Sequence, residues 1–281
     1  MELKVQKVRW EKMLKDITLG QFYPTKSIVH SLDARTKLFA TIIFMISIFV
    51  VNQFWPYAVI ILLMLLVTKA SNIPVNYVLK GVRPLRWIIL FTFVINIFFI
   101  RGGDILWQLG FLKIYEQGVR TAFFMAIRLI LLVLGTSILT LTTSPIELTD
   151  GIENACSPLK KIGFPAHELA MMMTIALRFI PTLLDETDKI MKAQMSRGAD
   201  FESSNIVSRA KNMIPLLIPL FVSAFRRADE LAMAMEARCY RGGDNRTKMK
   251  QSILEKKDYM ADFIVLVFLA FTIASRFIKI I

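Results

Sequence analysis

Two arginines occupy matched places in a repeated stretch of this chain. Setting Arg197 over Arg238 aligns DKIMKAQMSRG (188–198) with DELAMAMEARC (229–239). Asp188 then falls on Asp229, Ala193 on Ala234 and Ser196 on Ala237, and the small residues Gly198 and Cys239 come directly after the two arginines. A guanidinium is a planar fork of N–H donors, suited to bidentate contact with carboxylates or carbonyls. Small neighbours let a facing backbone come close. One arginine at a helix end means little, because the helix dipole favours a cation there by about 0.3–1 kcal/mol. Two in the same setting suit insertion into two similar grooves. A rival register pairs Arg197-Gly198-Ala199-Asp200 with Arg241-Gly242-Gly243-Asp244, and the sequence leaves the two open.

Other chemistry is poorly represented. There is no G-x-x-x-x-G-K-[ST] phosphate loop and no G-x-G-x-x-G turn, so the chain lacks the usual means of hydrolysing ATP. His167-Glu168 opens a zinc-protease pattern, but Met171 stands where the second histidine is needed. Two cysteines (Cys156, Cys239) and two histidines (His30, His167), scattered along the chain, predict no metal site and no disulfide framework. No serine or cysteine sits in a nucleophile elbow. The expectation is a non-enzyme with no catalytic residue and no bound cofactor.

The elements that must carry the arginines are set by hydropathy. The 281 residues are 55% hydrophobic, with a net charge of +13 and a mean hydropathy of +0.52. A soluble domain is nearer 45–50% apolar. The excess lies in five runs: 38–54, 55–67, 85–100, 121–142 and 263–275. Each approaches the ~20 residues that cross a bilayer, with help from its flanks. Lys4, Lys7, Arg9, Lys12, Lys15, Lys26, Arg35 and Lys37 precede the first run; Lys69, Lys80 and Arg83 separate the second from the third, with Arg86 at the start of the third. The first and second have no charge between them. Basic residues that flank spans set orientation. They predict a multi-pass protein of the cell membrane with a cytoplasmic N-terminus, and they disfavour a nucleic-acid partner. No apolar stretch comes after the N-terminal basic residues before Leu38, so no cleavable signal is expected.

The expected fold is an all-α integral membrane protein: about five transmembrane helices plus a cytoplasmic domain of long helices. Residues 1–143 form the membrane domain, 144–261 the cytoplasmic domain and 262–281 the last span. Residues 144–261 read as three helices. The first runs from Pro145 to Lys161, with Ser144 and Glu147 as a capping box. The second runs from about Pro165 to Ala199, and the third from about Asn205 to Tyr240, stopped by Gly242-Gly243. The two long helices begin apolar (171–184 and 213–225) and end charged. Met171, Met172, Met173 and Met213 suit a surface that packs against more than one shape, or simply a core. The apolar faces of these helices either lie against the membrane domain or a membrane partner, or the helices cross as a hairpin. A crossing would place Pro181, Pro215, Pro219 and Arg178 in hydrocarbon, and the arginine alone costs about 2.5–3.5 kcal/mol.

Some charged residues carry a second reading. Asp33 and Arg35 precede the first span, where they either take a secondary coupling role or are structural, Asp33 as a helix cap. Arg226, Arg227, Asp229 and Glu230 form a cluster that is either a solvated face or a second coupling surface. Arg128, inside the fourth run, is a candidate for pairing within the bundle or for snorkelling.

Three stretches carry a resemblance over essentially the whole chain: HSLDARTKL (30–38), Ser196-Arg197-Gly198, and Ala237-Arg238-Cys239 after FRRADELAMAM. The chain resembles the transmembrane T component of energy-coupling factor transporters, the EcfT/CbiQ family. It departs at Cys239, where glycine is usual. The resemblance implies that Ser196, Arg197, Gly198, Ala237, Arg238 and Cys239 dock in grooves of two ABC-type ATPase subunits, which hold the ATP and Mg²⁺. It further implies that the long helices press through apolar faces on a membrane-embedded S component binding a vitamin or a transition-metal ion. A self-sufficient secondary transporter would need inverted repeats of its spans, and five spans do not halve. A membrane scaffold would leave the paired arginines without a reason.

Overall fold

The computed structural model describes residues 22–109, 112–199, 201, 206–242 and 252–277. The N-terminal lysines up to Lys15, Arg9, Asp200, Asn205, Gly243 and Asp244 lie outside them. The described residues form nine α-helices and one short hairpin: α1 (Ala34–Val50), α2 (Phe54–Ala70), α3 (Val75–Lys80), α4 (Arg86–Phe99), β1 (Ile105–Leu109), β2 (Leu112–Tyr115), α5 (Glu116–Thr142), α6 (Pro145–Cys156), α7 (Ala166–Ser196), α8 (Ile206–Ala237) and α9 (Lys256–Phe277). The fold is that of an all-α membrane protein. The five apolar runs fall mainly in α1, α2, α4, α5 and α9, the first continuing past the end of α1 at Val50. The antiparallel β1–β2 hairpin between α4 and α5 has no counterpart among the sequence expectations; its Ile105-Leu106-Trp107 stretch is too short to set a period.

By length and composition, four stretches could cross a membrane: Val75–Phe99, Glu116–Thr142, Ala166–Ser196 and Lys256–Arg276; α2 is a shorter apolar helix. Val75–Phe99 joins α3 to α4 through a 3-10 turn at Arg83–Leu85. Pro84 forces that turn, because it cannot donate an amide to a continuing helix.

The chain divides into two compact units. One comprises Gly20–Ala155 with Gln251–Ile281, the other Met1–Leu19 with Cys156–Lys250. These cuts differ from the boundaries expected at 143/144 and 261/262. Two contacts account for the difference. Helix α6 belongs with the membrane unit because it lies on the start of α1: a Cβ on Gly151 would stand 2.8 Å from that of Ala34. The first turn of α9 belongs there because Asp258 is bonded to Asp33.

In the membrane unit, α1 packs on α5 and α9, and α5 also packs on α2, α3 and α4. The core is Phe44, Ile48, Val51, Tyr57, Ile60, Met64, Leu131, Ile138 and Leu141, closed by Phe268 of α9. Polar side chains within these helices are satisfied locally. Ser47 donates to Ile43 O at 2.8 Å, Thr68 to Met64 O at 2.7 Å and Thr142 to Ile138 O at 2.8 Å. Such back-bonding removes the cost of a free hydroxyl in hydrocarbon. The carbonyls at the end of α1 find donors too. Val51 O accepts from Arg128 Nη2 at 3.2 Å, and Tyr57 Oη lies 3.4 Å from Ile48 O. Arg128 thus reaches the end of a neighbouring helix, where a cation is favoured, and its guanidinium sits over Phe49.

The span ends sort by charge. The start of α1, the ends of α2 and α5 and the start of α9 gather at one end, joined by Tyr23 N to Leu141 O at 2.9 Å, Lys37 Nζ to Thr142 O at 2.9 Å and Asp33 N to Asp258 Oδ1 at 2.8 Å. That end carries Lys26, Arg35, Lys37, Lys69, Lys256 and Lys257. The chain leaves this unit after Ala155, and α9 begins at the basic end.

In the other unit, α7 and α8 pair in opposite directions. Gln194 Nε2 donates to Pro215 O at 3.4 Å. Arg227 Nη2 meets Glu186 Oε2 at 2.7 Å. Ile175 and Met235 border one groove. Met191, Leu216 and Phe201 form a small core at the turn end.

Candidate functional site

Ser196 is the last residue of α7, and Ala237 the last of α8. The backbone then closes in the same way at both helix ends. Arg197 N bonds to Gln194 O at 3.0 Å, and Arg238 N to Met235 O at 3.1 Å. Gly198 N bonds to Met195 O at 3.0 Å, and Cys239 N to Glu236 O at 2.8 Å. Ala199 N reaches back to Gln194 O at 3.0 Å, and Tyr240 N to Met235 O at 3.0 Å. This double bond pattern, with its third residue in the left-handed region, is a Schellman cap. Gly198 has φ +90° and Cys239 φ +59°. Of the two registers open in the sequence, the caps take the one that sets Arg197 on Arg238. Arg241 comes after the second cap and lies outside helix.

Glycine suits the left-handed position because it has no Cβ to clash, and nothing lies within 4 Å of where one would stand on Gly198. Cysteine at the matching place accepts strain of about 1–2 kcal/mol. Both arginines are exposed, and neither guanidinium has a hydrogen-bond or ion-pair partner among the described residues. Because α7 and α8 run in opposite directions, their caps lie at opposite ends of the pair. Arg197 is level with the first turns of α8, and Arg238 with the first turns of α7. At 1.5 Å per residue the two levels are roughly 40 Å apart.

Between the tips, α8 bares an apolar stripe. Ile214, Leu217, Ile218, Phe221, Val222 and Phe225 recur at helical spacing, and Phe225 is 69% exposed. A row like that on one face is built for a partner or a lipid surface. The charged cluster is divided. Arg227 is half-buried and paired with Glu186 across the helices, whereas Arg226, Asp229 and Glu230 are exposed. The sequence showed the cluster but not this partner, 41 residues away.

Asp33 and Arg35 stand elsewhere, in the membrane unit. Asp33 caps α1 by accepting from Arg35 N at 2.9 Å. Its Oδ2 accepts from the Ser252 hydroxyl. Arg35 Nη2 donates to Ser252 O at 2.7 Å. Burial pushes the Asp33 carboxyl up, but the Ser252 hydroxyl and the Arg35 donors together hold it below the usual carboxylate range. Lys37 and Asp258 complete this knot, a role that sequence reasoning missed. Lys37 is buried, donating to His30 O at 3.0 Å and Thr142 O at 2.9 Å. Asp258 accepts from Asp33 N and from Glu255 N at 2.9 Å. A lysine beside an apolar run reads as a topology signal, which is why its burial could not be seen in the sequence.

Among the described residues no group of three or more His, Cys, Asp or Glu side chains could hold a metal ion.

Residues 25–249 match the family model of CbiQ, described as a cobalt transport protein. The energy-coupling factor transporter transmembrane protein EcfT of Clostridium kluyveri is 54% identical over 265 residues, covering 94% of this chain and 98% of that one. Its counterpart in Ruminiclostridium cellulolyticum is 55% identical over 266 residues, covering 95% and 99%. The one from Bacillus subtilis is 49% identical over 246 residues, covering 88% and 93%. The family match takes in α1 to α8 and both arginine-bearing caps; this multi-pass membrane chain belongs to the CbiQ family, as the transmembrane component of an energy-coupling factor transporter.

Proposed function

We propose that this chain couples two cytoplasmic ATPase subunits to a small membrane-embedded S component, and so converts ATP-driven closure of the ATPases into uptake of a vitamin or a transition-metal ion. Arg197 and Arg238 enter one groove on each ATPase, with Ser196, Gly198, Ala237 and Cys239 as the small neighbours that permit close approach. Arg226 and Asp229 offer a further coupling contact. The apolar stripe of α8 meets the S component. In this reading the chain is not an enzyme and binds no cofactor; ATP and Mg²⁺ belong to the partners, and the S component chooses the substrate.

The observation that carries this reading is the pair of caps with the same backbone bonds at opposite ends of the α7–α8 hairpin. Each presents a guanidinium without a partner among the described residues, and their separation leaves room for two separate subunits. The basic residues gathered at one end of the membrane unit support a cytoplasmic N-terminus.

Helix α7 alone is long and apolar enough to cross a bilayer, but its partner is not. Helix α8 has Lys211 on one side of its apolar stretch and Arg226-Arg227 on the other, leaving 14 uncharged residues between. Paired helices share one placement, so both lie at the membrane surface.

The test is co-purification of the ATPase subunits with the native chain, Arg197→Glu, Arg238→Glu and the double variant, together with uptake in vesicles. Each single change is expected to weaken recovery and uncouple hydrolysis from uptake, and the double to abolish both. Equal recovery and native uptake in all four would make the caps ordinary helix ends and the proposal wrong.

A further inference from the structure

The stretch 30–38 has no part in the coupling reading so far, yet three of its residues touch both chain connections to the α7–α8 hairpin. The first connection runs through α6 and leaves the membrane unit after Ala155. Gly151, buried and about one helical turn before that exit, lies directly on the start of α1. A Cβ there would stand 2.8 Å from the Ala34 Cβ, 3.2 Å from the Ala34 carbonyl carbon and 3.4 Å from Arg35 N. A residue without a side chain is what lets the two helices meet so closely.

The second connection comes back through Ser252. Its hydroxyl donates to Asp33 Oδ2, and its carbonyl accepts from Arg35 Nη2 at 2.7 Å. The Asp33 side chain is 3% exposed, so the seat for Ser252 is inside the unit rather than on its surface. One turn further along α1, Lys37 Nζ donates to Thr142 O at 2.9 Å, at the end of α5 just before α6 begins. Asp33 N donates to Asp258 Oδ1 at 2.8 Å, in the first turn of α9. Two connections far apart in sequence therefore share one seat. A lever transmits a displacement only where its base does not give. Close-packed backbone and bonded polar groups are stiff, whereas a loose connection absorbs motion by turning a few φ and ψ angles.

We propose that Asp33, Ala34 and Arg35 clamp both connections of the coupling hairpin to the start of α1, and so fix the base against which ATP-driven motion of the hairpin works. They are positioning residues, acting through Gly151 and Ser252 rather than by touching an ATPase or the substrate. The proposal rests on the coupling reading above and adds a requirement to it: docking at the tips moves nothing in the membrane unless the other end is gripped.

The test uses the full complex of this chain, the ATPases and the S component in vesicles. ATP hydrolysis and uptake are measured together, with a mixture of tritiated B vitamins and radioactive cobalt as the probe, and ATPase recovery and Tm are followed alongside. Ser252→Ala removes the hydroxyl that ties one connection to Asp33, and Gly151→Ala pushes the other off α1. Each is expected to lower uptake per ATP hydrolysed several-fold, and the two together more than either, at native recovery of the ATPases. Adding Ala34→Gly to Gly151→Ala makes room for the new methyl and should restore most of the ratio. Ile60→Val trims a fully buried core residue of α2 away from the clamp; it should lower Tm at least as much while leaving the ratio native. A native ratio when Ser252→Ala and Gly151→Ala are combined, no restoration by Ala34→Gly, or an equal fall in Ile60→Val would each overturn the proposal. So would loss of the ATPases from the clamp variants. The docking reading fails separately, on its own variants, when the chain carrying Arg197→Glu and Arg238→Glu keeps its ATPases.

Discussion

Arg35 and Arg238 both sit beside a helix terminus, and their surroundings use them in opposite ways. Arg35, in the membrane unit, is consumed inside the chain by Asp33 and the Ser252 carbonyl. Around it Lys37 and Asp258 are buried and bonded. Arg238, at the tip of α8, has no partner among the described residues and projects from a backbone cap shared with Arg197. The same side chain is structural where its donors are already answered, and available to a partner where they are not. Charge and position do not separate the two cases; the inventory of hydrogen bonds does.

The comparison can be broken from either side, and the largest effect is expected at the tips. Reversing both Arg197 and Arg238 to glutamate should eliminate ATPase recovery while leaving the Tm of the chain itself unmoved. A fall in Tm would place these arginines with Arg35 instead. The converse variant is Asp258→Ala. It leaves the amides of Asp33 and Glu255 without acceptors and should cost about 2–4 kcal/mol of stability in the membrane unit, read as a lower Tm in detergent. Next comes the residue in the left-handed position of each cap. Cys239→Gly relieves the left-handed strain and should stabilise the end of α8 by about 1 kcal/mol, whereas Gly198→Ala should weaken the end of α7 by a similar amount. Hydrogen exchange at the amides of Cys239 and Gly198 measures both.

The smallest effect concerns His30, which braces the loop before α1 through Ser27 Oγ at 2.7 Å and Tyr23 O at 3.0 Å. Burial, with the charge of Lys37 beside it, depresses the imidazole below its ordinary value, outweighing the Tyr23 carbonyl. A depressed group contributes stability above the unfolded value of about 6.5 and loses it as pH falls through the depressed one. A Tm that drops modestly on acidification below about pH 6.5, and drops less in His30→Gln, is the expected result.

The fold was largely legible because hydropathy alone fixes where helices must cross. Runs 121–142 and 263–275 sit inside α5 and α9, and Ser144 with Glu147 forms the reciprocal cap, each amide 3.3 Å from the other's side chain. The two long helices fall at 166–196 and 206–237, near the expected ends. Long-range pairing decides the rest, and it leaves no local trace. Glu186 gives no sign in its own neighbourhood that it will meet Arg227. The knot of Asp33, Ser252 and Asp258 joins residues more than 200 apart. Register at the tips was ambiguous because Arg-Gly occurs at 197 and again at 241; only the backbone bonds to Gln194 and Met235 distinguish them.

The tips are carried on α-helices, so their separation and their direction obey different arithmetic. One residue added to α8 between Arg227 and Arg238 lengthens the reach by only 1.5 Å but turns Arg238 through about 100°. Seven added residues lengthen it by about 10 Å and restore the direction almost fully. A hairpin that spans two partners is therefore a ruler with a phase. If two rigid subunits must be met at once, the one-residue insertion should be as damaging as losing the arginine, while the longer one discloses how much slack the assembly holds.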